Sequence, residues 1–362
     1  MTMKIDQFDG WLEDGSEVAA LFTKQMLQSV EGKGAVVFPP SYLMEDGGSG
    51  YNIDHFDDGT NVCLMDSVGS QANRMEPIFK KKKYEHLVPK VTIKSDDGCE
   101  DLLDIGHRAA DARVQFSTIG QSVYDAFIAI RDEGNAEHLA RIAPTTLVFG
   151  AWDSRATHTK LQRMVRSVLR AHNVKEIRNS AVYFNDVGES FGEEGKPSEI
   201  GLDNALDILS VGGVMLSGSV CRDMTLNLTV LRSLNSSDPE STLALRRYLL
   251  ALSLVCFTAP LEFSLREGCQ LVIDAENPPV WKLVKYDGDN KECVINHADA
   301  LEFATMAAKD FGVNQDAIVA EFNKELAHKM LKLSSKDRKL LKGKAISEES
   351  ISDFLKSKKS KK

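Results

Sequence analysis

Residues 66–76 read DSVGSQANRME and follow a strand-like run, NVCLM, at 61–65. As a helix, this segment puts Ser67, Gln71 and Arg74 on one face at i, i+4 and i+7, with Asn73 at its edge. Met65, Val68, Ala72 and Met75 then lie towards a core. A hydroxyl, an amide and a guanidinium on one stripe can hold phosphate oxygens and 2′-hydroxyls without reading base identity. An ordinary amphipathic surface helix presents the same stripe. The surrounding sequence has to separate the two readings.

Upstream, residues 1–31 predict a short entry and then a helix, with Val18, Leu21, Phe22, Gln25 and Met26 near one face. AVVF at 35–38 reads as a first strand, stopped by Pro39 and Pro40. The glycine-rich loop DGGSGYNIDHFDDG at 46–59 lacks the Lys-Ser/Thr of a P-loop, which excludes nucleotide hydrolysis of that class. Four lysines at 80–83 form either a solvated surface or a nucleic-acid contact.

Downstream, residues 147–149 predict a buried strand between Pro144 and Gly150. Residues 157–171 predict a helix with Leu161, Met164, Val165, Val168 and Leu169 on its apolar face and Arg163, Arg166 and Arg170 on a basic one. Trp152, Asp153, Ser154 and Arg155 before it combine an aromatic platform, an N-cap and a guanidinium, parts that nucleic-acid grooves reuse. Trp152 would stack on a base or fill the core. Residues 185–199 read as an exposed loop or hairpin tip, 212–220 as a strand pair or bulged strand, and 225–233 as strand or helix. A helix at 241–257, strands at 271–273 and 281–284, and helices at 298–311 and 315–333 complete the pattern. From Ser334 the chain is Lys/Ser-rich and predicts a basic flexible tail, 334–362.

FPPSY at 38–42, DSVGSQANRMEPIF at 66–79, HRAADA at 107–112 and APTTLVFGAWDSR at 143–155 occur in this order, and GGVMLSGSVCRDMTLNLTVLRSL at 212–234 continues the series. Together, over roughly 34–260, these strings resemble the RAMP-superfamily crRNA-binding backbone subunit of type I-G (formerly I-U) CRISPR Cascade. The resemblance implies an α+β fold: a ferredoxin-like (RRM-like) RAMP palm with inserted helical and hairpin (thumb or finger) elements. It implies a single domain over 1–333, with 175–201 as the candidate thumb, a β-hairpin that lies across the guide and displaces bases. It further implies a non-catalytic, cytoplasmic subunit in antiviral defence, stacked in several copies along the crRNA and presenting bases to target DNA. Its partners would be the crRNA, further copies of itself, the large subunit and the subunit capping the crRNA 5′ end, with no cofactor and no membrane. The RNA-contacting set would be Ser67, Gln71, Asn73 and Arg74, then Trp152, Ser154, Arg155, Lys160, Arg163 and Arg166, and thirdly His107, Arg108 and Arg113. Arg108 can instead pair with Asp111 in its own helix. The alternative is a stand-alone metal-dependent ribonuclease of the same superfamily.

Composition is that of a globular chain: 362 residues, 43% hydrophobic and 27% charged. The longest uncharged apolar stretch, 248–261, is 14 residues with Pro260 inside, too short to span a bilayer, and the N-terminus lacks the apolar region of a secretory signal. The net charge of −9 hides an asymmetry. From Lys329 onward, 12 Lys/Arg face 4 Asp/Glu, leaving −17 for the remainder. A nucleic-acid binder with such a body must concentrate its cations locally. Six cysteines without a CxxC pair read as reduced, mostly buried thiols. For catalysis, His107 and Asp111 supply only two metal ligands, Asp153 and Asp223 read more simply as caps than as nuclease carboxylates, and Ser154 and Ser219 lack a nucleophile elbow.

Overall fold

Strand β1 (Val18–Ser29) occupies the stretch where a helix was expected. Its buried side chains are Leu21, Thr23, Gln25, Leu27 and Ser29, a period of two. Three of those five are polar, so hydrophobicity does not alternate along the strand, and the apolar residues fall by chance at helical spacing. The computed structural model describes residues 4–45, 47–178, 181–183, 205–207, 211–341 and 345–359.

In chain order there follow β2 (Asn61–Asp66), α1 (Val68–Met75), β3 (Val165–His172), β4 (Val174–Arg178), β5 (Val211–Leu216), β6 (Val220–Asn227), α2 (Pro239–Thr258), β7 (Phe263–Arg266), β8 (Cys269–Ile273) and β9 (Val280–Lys285). The main sheet runs β8–β1–β6–β3, with β2 outside β3, and every neighbour is antiparallel. Taken as the first, second, third and fourth strands of a βαββαβ unit, β1, β3, β6 and β8 lie in the order fourth, first, third, second, which is the ferredoxin-like arrangement. The fold is α+β, as expected, with a large insertion in its first crossover. β9 pairs with the first part of β1 and β8 with its end.

The second crossover is α2, whose start follows local rules: Asp238 accepts the Ser241 N–H, and Pro239 opens the first turn. By length and composition α2 is apolar enough to cross a membrane. Here it is a core helix, with every residue from Tyr248 to Phe257 buried.

Between β3 and β6 the chain makes a ribbon of two antiparallel arms, and Val36–Val37 adds a third strand beside β5. β4 pairs with β5, and Ala181–Tyr183 pairs with Ala205–Asp207. The candidate thumb, 175–201, begins on the first arm of this ribbon, and most of its remainder lies outside the described residues.

Four further expectations are corrected. Residues 157–171 form no helix: Lys160–Leu161 pairs with Ala151–Trp152, and β3 follows. In β3, Val165, Ser167, Leu169 and Ala171 alternate on the core face, and Val168 on the other face is buried as well. Residues 144–149 are a helix rather than a strand, and all six are buried. Pro144 opens this helix, where a missing N–H costs nothing, instead of bounding a strand. Residues 315–333 divide into a strand at Ile318–Glu321, parallel to Val91–Ser95, and a helix at Lys324–Lys332. Where a flexible tail was expected, helices occur at Ser335–Leu340 and Glu348–Lys359. There Leu341 and Ile351 are buried with Leu326, anchors that a lysine-rich composition obscures.

Candidate nucleic-acid interface

The polar stripe of α1 is turned onto the sheet. Ser67 caps the helix, its Oγ accepting the Ser70 N–H at 3.2 Å. Gln71 is only 1% exposed. Its Nε2 donates to Asp66 Oδ2 at 2.6 Å, and its Oε1 accepts from Ser167 Oγ at 2.8 Å and from Arg222 Nε at 2.9 Å. Burial pushes the Arg222 pKa down to about 10, while Cys256 and Asp66 pull the other way. Arg74 donates from Nε to Asp66 Oδ2 at 3.0 Å and from Nη2 to the Leu265 carbonyl at 2.9 Å. The expectation that Gln71 and Arg74 face a nucleic-acid backbone is therefore corrected: they tie α1 to the sheet. Polar residues on the inner face of β3 and β6 made that inversion possible.

A second group surrounds Arg108, which is 5% exposed and has a left-handed φ of 54°. Its Nε lies 2.7 Å from Glu76 Oε2, its guanidinium sits 5.2 Å from the Phe149 ring, and Nη2 donates to Asn73 Oδ1 at 3.4 Å. Burial pushes the Glu76 carboxyl up, against the opposing pull of Arg108 and the Thr145 hydroxyl. Arg108 is thus an interior residue paired with Glu76, not with Asp111. Asp111 instead meets His107 Nδ1 at 3.3 Å and Arg113 Nε at 3.2 Å, and Arg113 also bonds to Glu100.

Arg163 is exposed, with its Nε donating to the Phe149 carbonyl at 3.0 Å, and its Nη2 reaches within 4.0 Å of where a Gly69 side chain would begin. Burial, then the charge of Arg108, pushes its pKa down. Ser67 and Arg163 therefore meet beside Gly69 in the first turn of α1, where free N–H groups favour anions, whereas Asn73 lies further along the helix against Arg108.

The pairing of strands defines a second surface. On the face of the sheet opposite Leu21, Thr23 and Gln25, the register aligns Phe22 and Lys24 of β1 with Thr225 and Asp223 of β6. It aligns Thr225 with Arg166 and Cys221 with Arg170 of β3, and sets Lys282 of β9 opposite Phe22. Asp223 lies 3.5 Å from Lys24 and 3.8 Å from Arg170. Arg166 is exposed and has no carboxylate partner among the described residues. By the same register Glu292 stands opposite Lys282 and Asp54 opposite Val62, so among the described residues this face carries the cations Lys24, Arg166, Arg170 and Lys282 and the carboxylates Asp223, Glu292 and Asp54. Sequence reading found Arg166 but missed Lys24 and Arg170 as site residues, because their strands had been read as helices, and missed Lys282, whose stretch was read as a strand, because its register against β1 was not known.

The third group lies on the Ala151–Leu161 hairpin. Asp153, 2% exposed, accepts the N–H groups of Ala156 at 3.0 Å and Thr157 at 2.7 Å, and the Gln115 amide at 2.9 Å. Burial pushes its carboxyl up, but the Ala156 and Thr157 donors outweigh that and hold it below the usual range. It caps the turn at 153–157, not the start of the expected helix, which does not form, and Asp223, also expected as a cap, lies within β6 beside Lys24 and Arg170. Trp152 is 60% exposed, which excludes the core reading, and Lys160 Nζ sits 5.0 Å above its ring. Trp152, Ser154, Arg155 and Arg113 line an open groove of about 820 Å³ against the C-terminal helices. The thirteen expected residues are thus distributed among the interior, the start of α1, the sheet face, the groove and the His107 surface. Among the described residues, no three His, Cys, Asp or Glu side chains converge as metal ligands.

Residues 21–176 match the model of the family described as CRISPR-associated protein GSU0053. The matched part runs from β1 through α1 and the Trp152 hairpin to the first arm of the ribbon, so this portion is similar to a CRISPR-associated family. No curated protein matches the chain.

Proposed function

We propose that this chain is a non-catalytic CRISPR-associated backbone subunit. It binds the crRNA by its sugar-phosphate chain, in several copies, beside a large subunit and a subunit at the crRNA 5′ end, and leaves bases free to pair with target DNA. The observation that carries this reading is the outward face of the ferredoxin-like sheet, where Lys24, Arg166 and Arg170 gather across β1, β6 and β3 around the single carboxylate Asp223. Four-stranded sheets of this kind bind single-stranded RNA on that face. In an acidic protein, a local excess of cations provides the phosphate neutralisation and counterion release on which affinity depends. Phe22 is the sole aromatic among these outward positions, so stacking and base readout contribute little, which suits a guide of any sequence. Arg163, beside the start of α1, is a further candidate phosphate contact.

The test is purification of the full chain from cells expressing a CRISPR array. RNA of discrete length is expected to co-elute, and an Arg166→Glu variant is expected to lose most of it while remaining folded. A nucleic-acid-free wild type, or a variant with unchanged RNA content, defeats the reading.

A further inference from the structure

The groove beside Trp152 and the turn at 56–60 have complementary characters. The lining of the groove contains no Asp or Glu. Phe116, Phe322, Met330 and Leu331 supply an apolar floor, and Arg155 and Arg338 a cationic rim with His158 beside them. Leu331 is 66% exposed, and Arg155 and Arg338 have no carboxylate partner among the described residues. An aliphatic and aromatic floor inside a basic rim fits a protein segment with an apolar anchor and acidic flanks better than it fits a phosphate chain.

Such a segment exists on the chain itself. The strand Ile53–His55 pairs with β2 at the edge of the main sheet and turns back through residues 56–60. Phe56 at this turn is 52% exposed, and Asp54, Asp57 and Asp58 around it are exposed. The turn is preformed: Phe56 N–H donates to the Thr60 carbonyl at 2.9 Å, and Asp58 accepts from the Thr60 N–H and hydroxyl at 2.9 and 2.6 Å. A preordered aromatic tip loses little conformational freedom on docking.

Plug and socket lie at opposite ends of β3. Val62, next to the turn, pairs with His172 at one end, whereas the Trp152–Lys160 hairpin precedes Val165 at the other. Seven steps of about 3.3 Å each separate Val165 from His172 by roughly 23 Å along the strand. Two different surfaces at opposite ends make a heterologous contact, which propagates from copy to copy instead of closing into a dimer.

We infer that the Phe56 turn of one copy docks into the Trp152–Arg155 groove of the next, with Asp54, Asp57 and Asp58 facing Arg155, His158 and Arg338. This contact rests on the multi-copy RNA-binding reading, and it names the surfaces by which one copy meets the next.

The experiment compares full-length wild type, Asp54→Arg/Asp57→Arg, which spares the Asp58–Thr60 bonds of the turn, Arg155→Glu/Arg338→Glu and the four-substitution charge swap. Each is checked for native circular dichroism and titrated onto a single-stranded RNA long enough for several copies. At subsaturating protein, wild type is expected to leave bare and fully coated RNA. Either double variant is expected to spread into partly coated species, with cooperativity down by about ten-fold or more because like charges then face each other. The charge swap is expected to restore cooperative coating. Unchanged cooperativity in both double variants, or no rescue by the swap, overturns the contact. Weaker RNA affinity in the Arg155/Arg338 variant alone, with full cooperativity, would assign the groove to RNA and also overturn it. If wild type binds no RNA, the RNA-binding reading falls. Sedimentation of the RNA-free chains then decides the contact: self-association lost in each double variant and regained in the swap supports it, and any other pattern overturns it.

Discussion

Gln71 Oε1 accepts the Nε–H of Arg222 at 2.9 Å, and through this bond α1 is fastened to β6 inside the protein. The same Nε lies 2.8 Å from Ser167 Oγ, and Arg222 Nη2 meets Met75 Sδ at 3.0 Å. A fully buried guanidinium is tolerable only because its donors are occupied. Replacing Arg222 by Met removes the charge but leaves Gln71 short of a donor. The expected cost is about 2–4 kcal/mol in urea denaturation. Gln71→Leu/Arg222→Met together are expected to cost clearly less than the sum of the single changes, since the pair acts as one unit. Additive costs would show that the bond carries no coupling.

Arg74 and Arg166 separate a structural arginine from a binding one. Arg74 is held by Asp66 and by the Ser264 and Leu265 carbonyls, so Arg74→Glu places a carboxylate against acceptors and is expected to destabilise the fold. Arg166 is exposed on the sheet face, so Arg166→Glu is expected to leave stability within about 0.5 kcal/mol. It is also expected to weaken RNA affinity and to lower the salt dependence of binding by about one unit of slope. Equal unfolding midpoints for the two variants would refute the distinction.

These two arginines also show what could be read before the structure was known. α2 was legible from its long apolar run, read at 241–257, and the Asp238 cap and Pro239 place its start two residues earlier. The boundary of β2 and α1 was legible from Asp66 and Ser67. β1 and β3 were not. Thr23, Gln25, Ser29 and Ser167 occupy inward positions that a period-two pattern reserves for apolar residues, and their presence there follows from partners distant in sequence, such as Arg222 and Val280 for Ser167 and Thr23. Once β1 and β3 were taken as helices, Lys24 and Arg170 fell on no common face. The order of the sheet was anticipated through whole strings of sequence, not through periodicity.

Gly150 is expected to resist substitution. Its φ is +73°, and a Cβ would lie 2.8 Å from both Arg163 Cγ and the Leu161 carbonyl. Neither the backbone conformation nor the space allows a side chain. Gly150→Ala is expected to cost more than about 1 kcal/mol. Because Arg163 lies against it, the change is also expected to lower RNA affinity further than the stability loss explains, as measured below the unfolding transition. A neutral Gly150→Ala would mean that the hairpin adjusts freely.

Asp153 makes the Trp152 hairpin sensitive to acid. The folded carboxyl lies below its ordinary pKa, held there by the Ala156 and Thr157 donors against burial. A carboxylate with a depressed folded pKa contributes stability that is fully present above its unfolded value, about 3.9. That contribution is lost as the pH falls through the folded value. Asp153→Asn keeps an acceptor oxygen but removes the titration, so the stability gap between wild type and variant is expected to be constant from about pH 7 to pH 5 and to shrink below about pH 4. The hairpin carries Trp152 and Arg155, so Trp152 emission in the variant is expected to report local opening before global unfolding. Urea denaturation across that pH range, followed by far-ultraviolet circular dichroism and by tryptophan emission, reads both effects. A gap that stays constant down to about pH 2.5 would mean that the Asp153 cap contributes nothing dependent on its charge.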